Sequence, residues 1–519
     1  MVPFGYYQWL AVVVLIATGV LEAIRRVFLP PHRRGALDGK RWQMPPGPAG
    51  LPLFGNLLQY RRARRDEVEL RKYLLNLGSY GEMTTLHVGS KTWVFLNTRR
   101  VVSELIAKRA NITNERPDMP VSSGLISRDN RFVLHHTPRW TESRRMTHHL
   151  LSGSALRQYG EWQELESIQM LAGYLERPSQ WYRHHYRYSV SVMHRIVLGE
   201  RLLKVTPELD QLRRVTVEFL TSINANWVDF FPRLARLPKW LQPWRKRYVK
   251  MGRFHHDSHY TWWTPVKQAI ANGTAPPSFV RDVILSPDTK YSGDDEQAMY
   301  LALSTVSAGS DNPRMAMNAF VMAAICFPEP FEYARKELDE VCGANAECLP
   351  CISDMERMPY ISALVKEVLR WRPTLHQVPQ HQSTQDIEFE AYTFPAGTEF
   401  IINGISVSQD YPKANEFNPN RFMDGNEGNI VQGQWTFGGG RRICVGYKVT
   451  QTELFLAFAR LIYCFDYAAA GSIESVRLRH NTPGEPFPVR VSPRSEAHEQ
   501  LILKEAERCE VLESAKEGF

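Results

Sequence analysis

The longest apolar stretch lies at the start of the chain. Residues 4–24 are mostly hydrophobic, with an unbroken run over 9–17 and Glu22 as their one charge. That length predicts one membrane-spanning helix. Tyr6, Tyr7 and Trp9 suit one interface, and Arg25, Arg26, Arg33 and Arg34 suit the cytosolic flank. A cleaved signal peptide fits less well, because no basic leader precedes the stretch and no clear small-residue cleavage site follows it. Residues 45–55 hold four prolines and three glycines, a semi-rigid spacer. Apolar and β-branched residues at 83–88 and 92–96 predict short strands, and 117–130 reads as a Pro/Ser/Gly loop. Helical periodicity runs over 295–327, with Ser292 and Asp294 as candidate caps and Pro328 as a stop. Strand-like segments return at 386–400 and 487–491. The pattern predicts a mainly α protein with a smaller β region.

Composition adds little. The 519 residues are 43% hydrophobic and 23% charged, ordinary for a globular protein. No internal repeat divides the chain. The net charge of +8 is compatible with nucleic acid, an anionic membrane surface or an acidic protein partner. No nucleic-acid motif accompanies it. The segment 230–248 mixes Trp240 and Trp244 with Arg245, Lys246 and Arg247, and a membrane surface explains it better. The seven cysteines are odd in number and unpatterned, which fits a reducing compartment. Cys342, Cys348 and Cys351 lack a fourth ligand at zinc-ribbon spacing and read as loop cysteines.

The chemistry is carried by Phe437-Gly438-Gly439-Gly440-Arg441-Arg442-Ile443-Cys444-Val445-Gly446, of the form F-x-x-G-x-R-x-C-x-G. Average residue usage would give its five fixed positions in roughly one chain in ten thousand of this length. It reads as a tight loop presenting a thiolate to a metal, with Gly440 and Gly446 turning where a Cβ would clash. Arg442 is expected to sit beside the sulfur and favour the thiolate, and it can fork onto a carboxylate such as a heme propionate. A thiolate on heme iron favours O–O cleavage. The simpler reading, a buried structural cysteine in a glycine-rich turn, does not account for the whole run.

The run resembles the heme-ligand signature of the cytochrome P-450 family, and other motifs agree in order. Glu367 and Arg370 match E-x-x-R on a helix, where residues three apart share a face. Phe417, Pro419, Arg421 and Phe422 match F-x-P-x-R-F, whose arginine in the family completes a charge triad. Trp140 and Arg144 match W-x-x-x-R, which in the family reaches the heme propionates. The resemblance implies the P-450 fold, preceded by one N-terminal transmembrane helix. The expected divisions are an anchor over 1–24, a basic and Pro-rich hinge over 25–55, a heme-thiolate catalytic domain over 56–500 and a tail over 501–519. It also implies heme b ligated by Cys444, with Trp140, Arg144, Gly309, Phe437 and Arg442 as cofactor-binding residues. Electrons would come from NADPH through a membrane reductase. The protein would be a single-pass endoplasmic reticulum protein with its catalytic domain in the cytosol, touching membrane lipid and a small-molecule substrate but no nucleic acid.

One motif departs from the family. The central helix usually carries A/G-G-x-D/E-T; here Ala308, Gly309 and Asp311 match, but Asn312 replaces the threonine and Pro313 follows. The resemblance makes Gly309 a gap over the iron, and Asp311 with Asn312 the catalytic pair that organises protons. Asn312 can donate its amide to the Ala308 carbonyl and accept from water, but it has no hydroxyl. Pro313 lacks the N–H that would meet the Gly309 carbonyl, which predicts a kink. Thr374, Leu375, His376, Gln377 and Phe487 are expected to line the pocket. The Arg370-Trp371-Arg372-Pro373 stretch resembles the fungal microsomal branch of secondary metabolism. The expected activity is a monooxygenase. The alternatives are an oxidase that couples phenols or closes a ring without inserting oxygen, a heme-thiolate isomerase, and a heme sensor.

Overall fold

The computed structural model describes residues 42–151, 153–473 and 484–517, together with Val13 and Thr18. The anchor expected over 1–24 and most of the hinge therefore lie outside the described residues. Among the described residues no helix is long and apolar enough to cross a membrane. The chain divides into two compact units.

The first unit comprises Met1–Arg128, Thr221–Met251 and Gln377–Val407. It holds β1 (Met83–Val88), β2 (Lys91–Leu96), β3 (His381–Gln382), β4 (Ile387–Phe389), β5 (Tyr392–Phe394) and β6 (Glu399–Ile402). Four of them form one sheet in the order β1-β2-β6-β3, with β2 parallel to β6 and the other pairs antiparallel. β2 is buried along its whole length, as a strand with partners on both edges should be. Gly89, at φ +63°, makes the turn between β1 and β2, where a Cβ would meet the Phe230 carbonyl oxygen at 2.8 Å. Trp93, Phe95, Tyr60 and Phe230 fill the core beneath the sheet.

Residues 117–130 are more ordered than the loop expected from composition. Pro120–Ile126 winds into wide helical turns. The buried Asp229 carboxylate explains this. It accepts from the backbone of Val121 at 2.8 Å and of Ser122 at 3.1 Å, and from Asn226 Nδ2 at 2.6 Å. A distant carboxylate thus satisfies the first N–H groups of the turn.

The second unit comprises Asp129–Leu220, Gly252–His376 and Ser408–Phe519. It is helical apart from β7 (Phe465–Ala469) and β8 (Val489–Pro493), which pair antiparallel. Its centre is the 32-residue helix Asp295–Cys326, capped by Asp294, whose carboxylate accepts from the Gln297 N–H at 2.8 Å. The helix is apolar on most sides and is largely buried. Pro313 lies inside it without ending it. The C-terminal residues expected as a tail form Glu496–Arg508 and Leu512–Glu517, which bury Leu501, Ile502, Ala506 and Val511 in the same core.

Candidate active site

Cys444 sits between a single turn, Gly440–Arg442, and the helix Tyr447–Cys464. Its N–H donates to the Phe437 carbonyl at 2.9 Å, closing the loop. Gly438 at φ +74° and Gly440 at φ +61° supply the left-handed backbone this needs. Gly446 does not: its φ is −85°, and a Cβ there would meet the Cys444 sulfur at an ordinary 3.9 Å. Cys444 is exposed, yet burial is the main influence on its thiol and pushes its pKa up. The two together describe a sulfur deep in the protein that borders an open cavity. The Gly446 N–H and Arg144 pull the other way, toward the thiolate.

Arg144 is thus a cation that favours the Cys444 thiolate, and no motif spacing singles it out for that part. Arg144 donates to the Ile443 carbonyl at 2.6 Å, and among the described residues no carboxylate acts on it. Arg442 donates to the His135 carbonyl at 2.9 Å and lies over the Trp140 ring at 4.4 Å. Trp140 and Arg144 are four apart on the helix Thr137–His148, so both reach the loop from one face. His135 has no sequence signal. Burial first, then Arg139, pushes its pKa down to about 3, so it is neutral. Two guanidiniums, an indole and an accessible thiol therefore converge on one wall. That donor set fits a flat dianionic cofactor with a metal at its centre.

The central helix supplies a second wall. Over residues 298–323 only Ser304, Thr305, Ala308, Gly309 and Asn312 escape burial. They form one stripe at helical spacing on a helix otherwise enclosed, which marks the lining of an internal space. Asn312 donates its amide to the Ala308 carbonyl at 3.1 Å, and its Oδ1 is a buried acceptor without a partner. Asp311 accepts from Arg314 Nε at 2.8 Å and Nη2 at 2.7 Å. A Cβ on Gly309 would run into the Met193 side chain at 2.6–2.8 Å, so its missing side chain also serves close packing against the helix Trp181–Leu198. Phe487 is buried against Trp181, 5.1 Å between ring centroids, and Gln377 accepts from the Tyr60 hydroxyl at 2.9 Å.

Glu367, Arg370 and Arg421 meet as expected. Arg370 offers Nε and Nη2 side by side to the two Glu367 oxygens at 2.7 Å each. Arg421 Nε approaches Glu367 Oε2 at 3.0 Å as an ion pair, and the Asn418 N–H donates to Oε1 at 2.8 Å. Arg370 also holds the Ser408 and Ala414 carbonyls. The cluster ties the segment 408–421 to its helix and is structural in character.

A mainly helical fold with small sheets, a cysteine loop at a helix N-terminus and a cationic wall define a heme-thiolate class of oxidoreductase. The family model for Cytochrome P450 matches residues 45–476, and the chain belongs to that family. Similar curated proteins include the cytochrome P450 monooxygenase fogE of Aspergillus ruber, 29% identical over 89% of each chain. Another is the cytochrome P450 monooxygenase virE of Hypocrea virens, 28% identical over 89% of this chain and 88% of that one. Among solved structures, a zebra fish cytochrome P450 with progesterone superposes with TM-score 0.65 at 22% identity, covering 82% of this chain and 99% of that one. That likeness concerns the fold. Membership makes the protein a heme enzyme of the monooxygenase family.

Proposed function

We propose that the protein is a membrane-anchored monooxygenase that inserts oxygen into a small organic molecule of secondary metabolism, such as an aromatic polyketide or alkaloid. The observation that carries this is the accessible Cys444 thiol in a buried setting, with Arg144 beside it. Bound heme supplies the one-electron and dioxygen chemistry. Cys444 holds the iron as a thiolate, and Arg144 and the Gly446 N–H favour that ionised form. Trp140, Arg144 and Arg442 hold the acidic side chains of the cofactor. Asp311, neutralised by Arg314, fixes the helix turn that carries Asn312. Asn312 keeps Oδ1 available to orient water for proton delivery.

Electrons come from NADPH through a reductase at the cysteine side, where the cations Arg441 and Lys448 are exposed for an acidic partner. The anchor places the protein on the endoplasmic reticulum with its catalytic part in the cytosol. A second membrane contact is supported by Trp240, 81% exposed between the exposed Leu237 and Leu241 and beside basic Arg236 and Lys239.

A second reading, oxidative coupling without oxygen insertion, draws on Asn312. The side chain at that position has no hydroxyl to relay protons, and a phenolic substrate can bring its own. Turnover under oxygen-18 gas with a co-expressed reductase separates the two. Label in the product supports insertion. Coupled or cyclised product without label overturns it.

A further inference from the structure

Cys342, Cys348 and Cys351 gather where the helix Pro328–Cys342 ends. Gly343, at φ +83°, turns the chain out of the helix. The chain then folds back on itself. The Cys348 N–H donates to the Cys342 carbonyl at 3.3 Å, and the Cys348 sulfur lies 3.8 Å from the same oxygen. The two thiols are themselves in hydrogen-bonding contact. Cys342 is 1% exposed, whereas Cys348 is open to solvent. Burial above all pushes the Cys342 thiol up, so it keeps its proton.

Both ends of this loop are pinned to neighbouring helices. The Tyr463 hydroxyl meets the Cys342 carbonyl at 3.0 Å and the Gly343 carbonyl beside it. Arg460 Nε donates to the Pro350 carbonyl at 2.8 Å. Tyr463 and Arg460 belong to the helix Tyr447–Cys464. The Ile352 N–H donates to Glu164 Oε1 at 3.0 Å.

Spacing alone would pair different thiols. Cys348-Leu-Pro-Cys351 has the C-x-x-C form of redox motifs. The structure turns Cys351 away to other partners: its sulfur lies 3.0 Å from Ser353 Oγ and 3.0 Å from Asp354 Oδ2. Among the described residues no group of three or more His, Cys, Asp or Glu side chains is placed to hold a metal. What remains is one buried and one accessible thiol, side by side on a pinned loop. Joining them costs little chain entropy, because the two positions are already held together.

We propose that Cys342 and Cys348 are a peroxide-reactive dithiol that closes to a disulfide and reopens. Hydrogen peroxide gives one oxygen to the accessible Cys348 sulfur, forming a sulfenic acid, and leaves as water. The Cys342 sulfur then bonds to the Cys348 sulfur. The S–O bond breaks, and its oxygen departs with the Cys342 proton as a second water. In sum, two thiols and one hydrogen peroxide give one disulfide and two waters, with two electrons passing from sulfur to peroxide. A thiol reductant reverses the step by exchange. A reversible bond of this kind suits the reducing compartment that the cysteine usage indicates. The proposal stands apart from the monooxygenase reading and from its substrate.

The test treats the purified, heme-loaded full chain with a small excess of hydrogen peroxide. The protein is then unfolded in iodoacetamide and cleaved after glutamate. Cuts at Glu340 and Glu347 put Cys342 on a peptide apart from Cys348 and Cys351. Mass spectrometry should find those peptides joined, lighter by two hydrogens, with Cys351 alkylated. Dithiothreitol before unfolding should return all three as alkylated thiols. Cys348→Ser should abolish the joined species, and Cys351→Ser should leave it. Peptides that stay separate in wild type would overturn the proposal, whether Cys348 is unchanged or carried on to sulfinic acid. So would a link through Cys351, or one that survives in Cys348→Ser. Should that variant not fold, fragmentation of the wild-type joined peptide locates the bond by itself. Heme is read separately from absorbance. Absent heme with the link intact removes the monooxygenase reading, and an absent link in heme-loaded protein removes this proposal alone.

Discussion

Asn312 reaches back one helical turn and donates its side-chain amide to the Ala308 carbonyl at 3.1 Å. The bond fixes the side chain, so that Oδ1, rather than the amide nitrogen, is left over as the unpartnered acceptor. Next to it, Pro313 takes away the N–H that Gly309 would have received. The helix continues through both residues. The residue that replaces the usual hydroxyl is thus held in one orientation.

From that relationship, Asn312→Leu should uncouple the enzyme. Product per NADPH should fall on the order of a hundredfold, the lower end of what proton-transfer groups contribute, with peroxide release rising in step. Asn312→Thr should preserve coupling if oxygen is inserted. If radicals are coupled, it should change regiochemistry more than yield. Peroxide assay alongside product analysis checks both variants.

Gly309→Ala should be limited by packing. Its methyl group would run into Met193, and such overpacking typically costs about 1–3 kcal/mol. Because the neighbour is a flexible side chain, Met193→Ala should recover most of the loss in the double variant. Urea unfolding of the four proteins gives the coupling energy. Additive losses would mean that the glycine serves some other purpose.

Glu367→Ala should yield little heme-loaded protein. It leaves Arg370 and Arg421 buried without their acid, a loss of about 3–5 kcal/mol. Soluble, fully loaded Glu367→Ala with a selective loss of turnover would assign the cluster a catalytic role.

Glu453 makes the fold sensitive to alkali. Burial pushes its pKa up to about 8, and Ser189 lowers it only slightly. Both Glu453 oxygens and Ser189 Oγ lack an aligned hydrogen bond. The folded state keeps this proton while the unfolded state releases it near pH ~4.3. Stability from this group is therefore highest below that pH and falls as pH rises toward about 8, where the loss levels off. Glu453→Gln should match wild type near pH 4 and exceed it at pH 9 in denaturant midpoints by circular dichroism.

Residues whose meaning is local were legible from the chain alone. Cys444, Trp140, Arg144 and the Glu367–Arg370 pair are recognisable because a loop or one helix turn fixes their spacing. Residues whose meaning comes from distant neighbours were not. The packing of Met193 from another helix against Gly309 is invisible in the sequence. The hold of Arg442 on the Trp140 ring and the His135 carbonyl is likewise invisible in the motif. Residues 120–126 have loop composition, and a carboxylate more than a hundred positions away winds them into a helix. Arg131 carries no motif at all. Only its burial and its unpartnered nitrogens single it out.

The most direct measurement is the absorbance spectrum of the reduced, carbon-monoxide-bound protein, for wild type and for Cys444→Ala. The thiolate places the band at the long wavelength peculiar to thiolate-bound heme. Wild type should show it, and Cys444→Ala should lose both that band and turnover. A variant that keeps both would show that another residue holds the iron, and the assignment of Cys444 would fall.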